Sequence, residues 1–283
     1  MKSVVVTGAS TGIGWGCAKV LIGAGFRVFG SVRKTADAAR LSAEFGPNFV
    51  PLIFDVTDEA AVKAGAAKVA DMLDHETLAG LVNNAGIAVA GPLLYLDIGE
   101  FRQQFEVNLT GQLIATQAFA PLLGADPERN GPKGRIVMIS SIGGTNASPF
   151  AGPYSASKFA VEGFSESLRR ELMIFGIDVI IVAPGAVATP IWDKAEQLDI
   201  ARYANTIYAG PLGKVKAYML NLGRKGLKPE VIGNTVLKAL TLAKPKTRYV
   251  ATPDRIEHFM VNHLPKRMVD NLIAGQLGLK RKA

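Results

Sequence analysis

Cysteine is almost absent: Cys17 stands alone among 283 residues. That excludes an internal disulfide and fits the reducing cytoplasm. The lone thiol reads as a small core hydrophobe. Histidine is scarce too, and His75, His258 and His263 show no metal-ligand spacing backed by cysteine or carboxylate, so no metal is expected. No stretch approaches the roughly 18 uncharged apolar residues of a membrane span. The first strand-like run starts at Ser3, which leaves no room for a secretory leader. Basic–aromatic interleaving and nucleic-acid modules are missing, so nucleic acid is not an expected partner.

What is present is ordinary for a globular protein with a sizeable core: 48% hydrophobic and 20% charged residues. The net charge of +8 is uneven. In the last segment, Lys266, Arg267, Lys280, Arg281 and Lys282 stand against Asp270 alone, half of the whole excess. A basic tail of about 252–283 could meet an anionic membrane surface. The simpler expectation is a solvated, partly mobile terminus with no membrane role.

Along the chain, short β-branched runs alternate with helical patterns. Residues 3–7 read as a strand, followed by Gly8-Ala9-Ser10-Thr11-Gly12-Ile13-Gly14 and a helix to about Ala24. A second strand runs from Arg27 to Val32. Strand, glycine loop, helix and strand within about 30 residues is the setting for dinucleotide binding. Glycines let the backbone approach a pyrophosphate, and the helix N-terminus offers unpaired N–H groups. Further strands are expected at 48–54, 80–83, 134–140, 178–183 and 248–251, and helices at 58–75, 98–124 and 153–175. Phe101, Phe105, Leu109 and Leu113 form one apolar stripe; Ala160, Phe164, Leu168 and Leu172 form another. The alternation predicts one α/β domain: a doubly wound, Rossmann-type fold with a mostly parallel seven-stranded sheet and helices on both faces. Ligands of such sheets sit outside the carboxyl ends of the strands. Asp55, Asn84, Ser141 and Pro184-Gly185 all fall there.

One spacing carries chemistry. Tyr154 and Lys158 are four residues apart and share a helix face. The other five tyrosines have no lysine at the fourth position. A free tyrosine titrates near ~10, too high for efficient proton exchange at neutral pH. One ammonium about 4 Å away, at an effective dielectric near ~20, supplies roughly 4 kcal/mol, or about three pKa units. The pair by itself is therefore expected to turn Tyr154 into a working acid/base.

With these motifs the chain resembles the short-chain dehydrogenases/reductases. The likeness covers about residues 3–192: Thr7-Gly8-x-x-x-Gly12-Ile13-Gly14, Asp55-Val56, Asn83-Asn84-Ala85-Gly86, Asn108, Ser141, Tyr154-x-x-x-Lys158 and Pro184-Gly185-x-Val187-x-Thr189. The wording from Tyr154 to Gly163 looks like the branch of 17β-hydroxysteroid and retinol dehydrogenases. The resemblance implies a catalytic tetrad. Tyr154 would exchange a proton with the substrate oxygen, and Ser141 would bond that oxygen, its neighbour Ser140 facing away. Lys158 would lower the Tyr154 pKa and hold the nicotinamide ribose, and Asn108 would position a water. Cofactor-binding residues would be Gly8, Ser10, Thr11, Gly12, Ile13, Gly14, Arg33, Asp55, Val56, Asn84, Ala85, Gly86, Tyr154, Lys158, Pro184, Gly185, Val187 and Thr189. Asp55 would meet the adenine amino group and Thr189 the carboxamide.

Charge bears on which cofactor. The family's NAD enzymes carry an acid at the end of the second strand; here Ser31-Val32-Arg33 offers an arginine instead. A guanidinium grips a 2′-phosphate bidentately, which favours NADP(H) over NAD(H). Asp37 is the carboxylate that could reverse this by folding back, and the pocket is expected to be lined by Ser31 and Arg33. Residues 189–228 are expected to form a substrate lid, with Ile191, Trp192, Tyr203, Tyr208, Tyr218 and Met219 implying a lipophilic carbonyl or alcohol. Apolar stripes on two long helices imply a homodimer or homotetramer. The readings left open are an NADP(H)-linked carbonyl/alcohol oxidoreductase, an NAD-linked alcohol or hydroxysteroid dehydrogenase, and a cofactor-binding regulator without turnover. A membrane-recruited scaffold, resting on the basic tail, is a fourth.

Overall fold

Every residue of Ser3–Val6 (β1) is buried, with Val5 packed on one side of the sheet and Val4 and Val6 on the other. A strand covered on both faces needs no polar alternation, which is why its sequence is a continuous apolar run. The computed structural model describes residues 1–190, 192 and 200–280. The other strands are Arg27–Val32 (β2), Phe49–Ile53 (β3), Gly80–Asn83 (β4), Arg135–Ile139 (β5), Asp178–Pro184 (β6) and Arg248–Ala251 (β7). They form one sheet in the order β3-β2-β1-β4-β5-β6-β7, and every pairing is parallel. The expectation of a mostly parallel sheet thus sharpens to a wholly parallel one.

One face is covered by Gly12–Gly23 (α1), Thr35–Phe45 (α2) and a helix at Pro229–Thr241, which contribute Cys17, Leu21, Leu41, Ile232 and Val236 to the core. The other face is covered by Glu59–Leu73 (α3), Ile98–Phe105 (α4), Gly111–Phe119 (α5) and Gly152–Glu171 (α6), with Val62, Val69, Phe119 and Val161 packed inward. Asp58 caps α3 by accepting from the Ala61 N–H at 3.0 Å, and Asp97 caps α4. The remaining helices are Ala209–Arg224 (α7), Pro229–Thr241 (α8), Arg255–His263 (α9) and Lys266–Leu277 (α10). α1 and α8 cross closely: a Cβ on Gly233 would come within 2.5 Å of the Gly16 carbonyl oxygen.

One expectation needs correction. The segment 98–124 is not one regular helix: Glu106–Thr110 forms a π turn between α4 and α5. Its buried face is polar, with Gln104, Asn108 and Gln112 inside. Phe101 and Phe105 are only half-buried and Leu113 is exposed, whereas Leu109 packs against the core, so the four residues do not share one environment. Most described residues of the basic terminus are exposed or half-buried. α9 and α10 occupy most of it and Val269 is buried, because its few apolar residues recur at helical spacing.

Candidate active site

β5 ends at Ile139, so the chain leaves the carboxyl edge of the sheet at Ser140-Ser141. α6 begins at Gly152 with Pro153 in its first turn, and presents Tyr154 and Lys158 one turn apart. The Ser141 hydroxyl stands beside the Tyr154 ring at Gly143, accepts from the Gly143 N–H at 3.0 Å and lies 3.4 Å from the Pro184 carbonyl. Lys158 is buried; its Nζ donates to the Ile139 carbonyl at 2.8 Å and sits 5.9 Å from the Tyr154 ring centre. Burial pushes the Lys158 ammonium down to about 8, an effect the Glu162 charge opposes. Lys158 is therefore still mainly a cation at neutral pH.

The expected effect on Tyr154 is not found. Part of the residue stays open to solvent, but its phenol sits among packed groups. Burial pushes it above its ordinary value, against the hydrogen bond from Ser141. The reason is geometric. The ammonium is bound to the Ile139 carbonyl and stands 5.9 Å from the ring centre, and desolvation of the phenol dominates. Tyr154 is consequently protonated at neutral pH, the state from which it can donate to a carbonyl.

Asn108 is fully buried, which excludes a solvated helix face. Its Oδ1 accepts from the Ile87 N–H at 2.8 Å; its Nδ2 donates to the Ile87 carbonyl at 3.1 Å and to Ser157 Oγ at 3.2 Å. Gln104 repeats the pattern one turn earlier, on Val89, Ile87 and Ser157. Ser157 in turn bonds the Tyr154 carbonyl at 2.8 Å. The two amides clamp the loop after β4 to the catalytic helix. The π turn at Asn108 is the local cost of that fit, and such turns free main-chain groups at functional sites.

The glycine loop forms the expected cradle. Gly8 and Gly12 have φ of +67° and +59°, values that favour glycine. A Cβ on Gly14 would lie 2.2 Å from the Gly8 carbonyl oxygen. Thr11 precedes α1 without a side-chain cap, so the first N–H groups of α1 are left for a ligand. Ile13 points back into the core. Asn84 Nδ2 donates to the Thr7 and Gly8 carbonyls at 2.9 and 3.2 Å, and Thr7 Oγ1 accepts from the N–H groups of Asn84 and Ala85. Gly86 faces Asn108, and Thr189 lies over Gly12. Gly185 donates to the Ala251 carbonyl at 2.8 Å, and Val187 is buried. These groups fit a dinucleotide.

At the adenine end a 380 Å³ cavity is lined by Arg33, Asp55, Thr57, Arg102 and Glu106, among others. Arg33 Nη1 lies 3.7 Å from Asp55 Oδ2. Burial pushes the Asp55 carboxyl up, but the Thr57 N–H and hydroxyl and the Arg33 guanidinium outweigh it and hold the carboxyl below its ordinary range. Ser31 does not line the cavity as expected: it is buried, with its hydroxyl accepting from the Gly8 N–H at 2.9 Å. Val32 and Val56 are also packed in the core, so at Val56 only the main chain is open to a ligand. Asp37 pairs with Arg40 on α2 at 3.4 Å.

A family model described as short chain dehydrogenase matches residues 2–199. The chain belongs to the short-chain dehydrogenase/reductase family. A relative from Ornithobacterium rhinotracheale, named NADPH-dependent 3-dehydrocapnine reductase, is 37% identical over 273 residues and covers 96% of both chains. Mus musculus retinol dehydrogenase 16 is 31% identical over 289 residues, covering 96% of this chain and 87% of its own length. A crystal structure of a short-chain dehydrogenase from Streptomyces avermitilis superposes with a TM-score of 0.76 at 27% identity, covering 100% and 98% of the two chains. The protein is thus an oxidoreductase of this family.

As in the rest of this dehydrogenase fold, the segment after β6 stands beside the carboxyl edge. Trp192 Nε1 donates to the Val187 carbonyl at 2.6 Å and its ring covers Gly223 of α7. Ile191 lies outside the described residues. Tyr203 is buried core, and Arg202 forms a bidentate pair with Glu100 at 3.0 and 2.9 Å. Tyr208 meets Tyr95 and Phe150 edge to face, whereas Tyr218 is half exposed. Phe150 has φ of +64°, a strained value four residues before Tyr154. Gln104, Ser157, Arg102 and Arg40, whose Nη2 donates to the Ser10 carbonyl at 2.6 Å, were not foreseen. Only a polar residue on an otherwise core-facing helix position could have flagged Gln104; the others carry no local signal.

Proposed function

We propose that the protein is an NADP(H)-dependent carbonyl/alcohol oxidoreductase acting on a lipophilic substrate. The observation that carries this reading is the convergence of Ser141, Tyr154 and Lys158 at the sheet edge that also holds the glycine cradle. Bound NADP(H) would supply the hydride. Tyr154 donates its proton to the substrate oxygen in reduction and takes it back in oxidation. Ser141 shares that oxygen and fixes its distance from Tyr154. Lys158 stabilises the phenolate left behind and holds the nicotinamide ribose. Asn108 acts through the π turn, whose freed main chain would seat the water that resupplies Lys158. NADP(H) is favoured over NAD(H) by Arg33 and by the NADPH named for the Ornithobacterium relative.

Residues 189–228 are proposed as the lid, of which 191 and 193–199 lie outside the described residues. Tyr95, Phe150 and Tyr208 give its neighbourhood an aromatic wall suited to an apolar carbonyl compound. The half-buried Phe101 and Phe105 and the exposed Leu113 are proposed as a contact between copies in a homodimer or homotetramer, and the cytoplasm as the compartment. No helix among the described residues is long and apolar enough to cross a membrane. The test is NADPH oxidation against a panel of ketones and aldehydes. Tyr154→Phe should lower kcat by at least about 100-fold while NADPH binding stays nearly intact. Retention of more than a few per cent of kcat would exclude Tyr154 as the acid.

A further inference from the structure

Ser140, turned away from the reacting side of the site, has a partner of its own. Its hydroxyl donates to Glu162 Oε1 at 2.7 Å. Arg248 on β7 grips the same carboxylate, Nε to Oε2 at 2.9 Å and Nη2 to Oε1 at 3.1 Å. The pair is mostly shielded, with side chains 27% and 16% exposed for Arg248 and Glu162. Glu162 stands on α6 four residues after Lys158, as Lys158 stands four after Tyr154. A Cβ on Gly144 would come within 2.8 Å of Ser140 Oγ, 3.0 Å of Glu162 Cγ and 3.0 Å of the Lys158 carbonyl. A side chain there would press on both the end of β5 and α6, which close on one point. The end of β5, α6 and β7 are thereby joined directly behind the catalytic residues.

We propose that Glu162 and Arg248 form a charge-balanced strut that positions Lys158 and sets how firmly it holds its proton. This rests on the reading of Tyr154 and Lys158 as the proton-exchanging pair. Glu162 is a positioning residue that never touches substrate. Its carboxylate favours the buried ammonium, and the Arg248 guanidinium, bound to both of its oxygens, tempers that field. The groups facing Lys158 are Tyr154 and Glu162 on its own helix and the Ile139 carbonyl at the end of β5, and Arg248 binds Glu162. From α4 and the π turn, the uncharged Gln104 and Asn108 reach α6 through Ser157. His258 on α9 feels Arg248 and is held below its ordinary value by burial first and that charge second.

A strut that only held the fold together would give two broken halves with the same phenotype. A charge-balanced one gives opposite shifts. Glu162→Gln removes the carboxylate that favours the ammonium and leaves the Arg248 charge unbalanced, so the ammonium is lost at lower pH. Arg248→Met leaves Glu162 uncompensated, so the ammonium persists to higher pH. The experiment is the pH profile of kcat/KM for ketone reduction. The wild-type profile should fall above about pH 8, where Lys158 deprotonates. The limb should move by about one pH unit to lower pH in Glu162→Gln and by about one unit to higher pH in Arg248→Met. Arg248→Lys should restore the wild-type limb. Shifts in the same direction, or none, overturn the proposal. If Glu162→Gln does not fold, Arg248→Met against Arg248→Lys decides the question by itself. Tyr154→Phe is the control for the underlying reading: activity there refutes the acid assignment, whereas an inactive Tyr154→Phe with unmoved limbs refutes only the strut.

Discussion

Removing the guanidinium of Arg33 should separate the two nicotinamide cofactors. The side chains of Arg33 and Asp55 are 67% and 40% exposed, and their charges stand 3.7 Å apart. An exposed pair of this kind contributes about 0–1 kcal/mol, so Arg33 gives up little by turning to another anion. A bidentate, charge-assisted contact to a 2′-phosphate is worth roughly 1.5–3 kcal/mol. Screening at an open site and the forfeited Asp55 contact reduce this to about 1–2 kcal/mol, or about 5- to 30-fold in affinity. NADPH and NADH titrations of wild type and Arg33→Ala, followed by nucleotide fluorescence, measure it directly. NADPH should weaken by that factor and NADH by less than about twofold. The gap between the cofactors should narrow in high salt, because the site is solvent-exposed. Equal loss for both cofactors, or no loss for either, would refute a phosphate-binding role for Arg33. Arg102, which lines the same cavity, would then be the cation to examine.

Lys158→Met should abolish turnover yet stabilise the fold at neutral pH. The folded value of Lys158, about 8, lies below its ordinary 10.5, so the fold prefers the neutral amine. That preference costs stability below pH 8 and fades as pH rises toward 10.5. Less the lost Ile139 hydrogen bond, the variant should gain about 1–3 kcal/mol at pH 7 and nothing at pH 10.5. Thermal melts across that range showing a less stable variant at pH 7 would refute the sign. Sedimentation should find a dimer or tetramer at micromolar concentration, with Leu113→Glu shifting it toward monomer; a wild-type monomer would remove the proposed contact. Cys17, buried with its thiol pushed up to about 12, should react with disulfide reagents only on unfolding.

Much of the site was legible because its residues lie at strand ends, where local patterns mark them. Gly8, Gly12 and Gly14 announce a loop that only glycine can make, and the structure puts positive φ or a forbidding contact at each. Asp55, Asn84 and Ser141 lie within two residues of strand ends and Pro184 closes β6, so locating the strands located them. Tyr154 and Lys158 are joined by one helical turn, a spacing readable from the chain itself. Their energetics were not readable. The ammonium's direction depends on the Ile139 carbonyl, which belongs to another element, and the burial that raises Tyr154 comes from every element around it.

The sequence by itself determined the doubly wound domain, the buried run of β1 and the glycine loop, and it singled out the candidate groups Tyr154 and Lys158, because each depends on periodicity or on residues within one turn. The tertiary structure alone decided what those groups feel. It turned Ser31 inward to Gly8, spent Asn108 on Ile87 and Ser157, and set Arg33 beside Asp55. It also brought Arg248 against Glu162, across 86 residues of chain, behind the catalytic helix. Hydrogen bonding and desolvation act through space over a few ångströms, and no spacing along the chain reports which distant segments will lie that close.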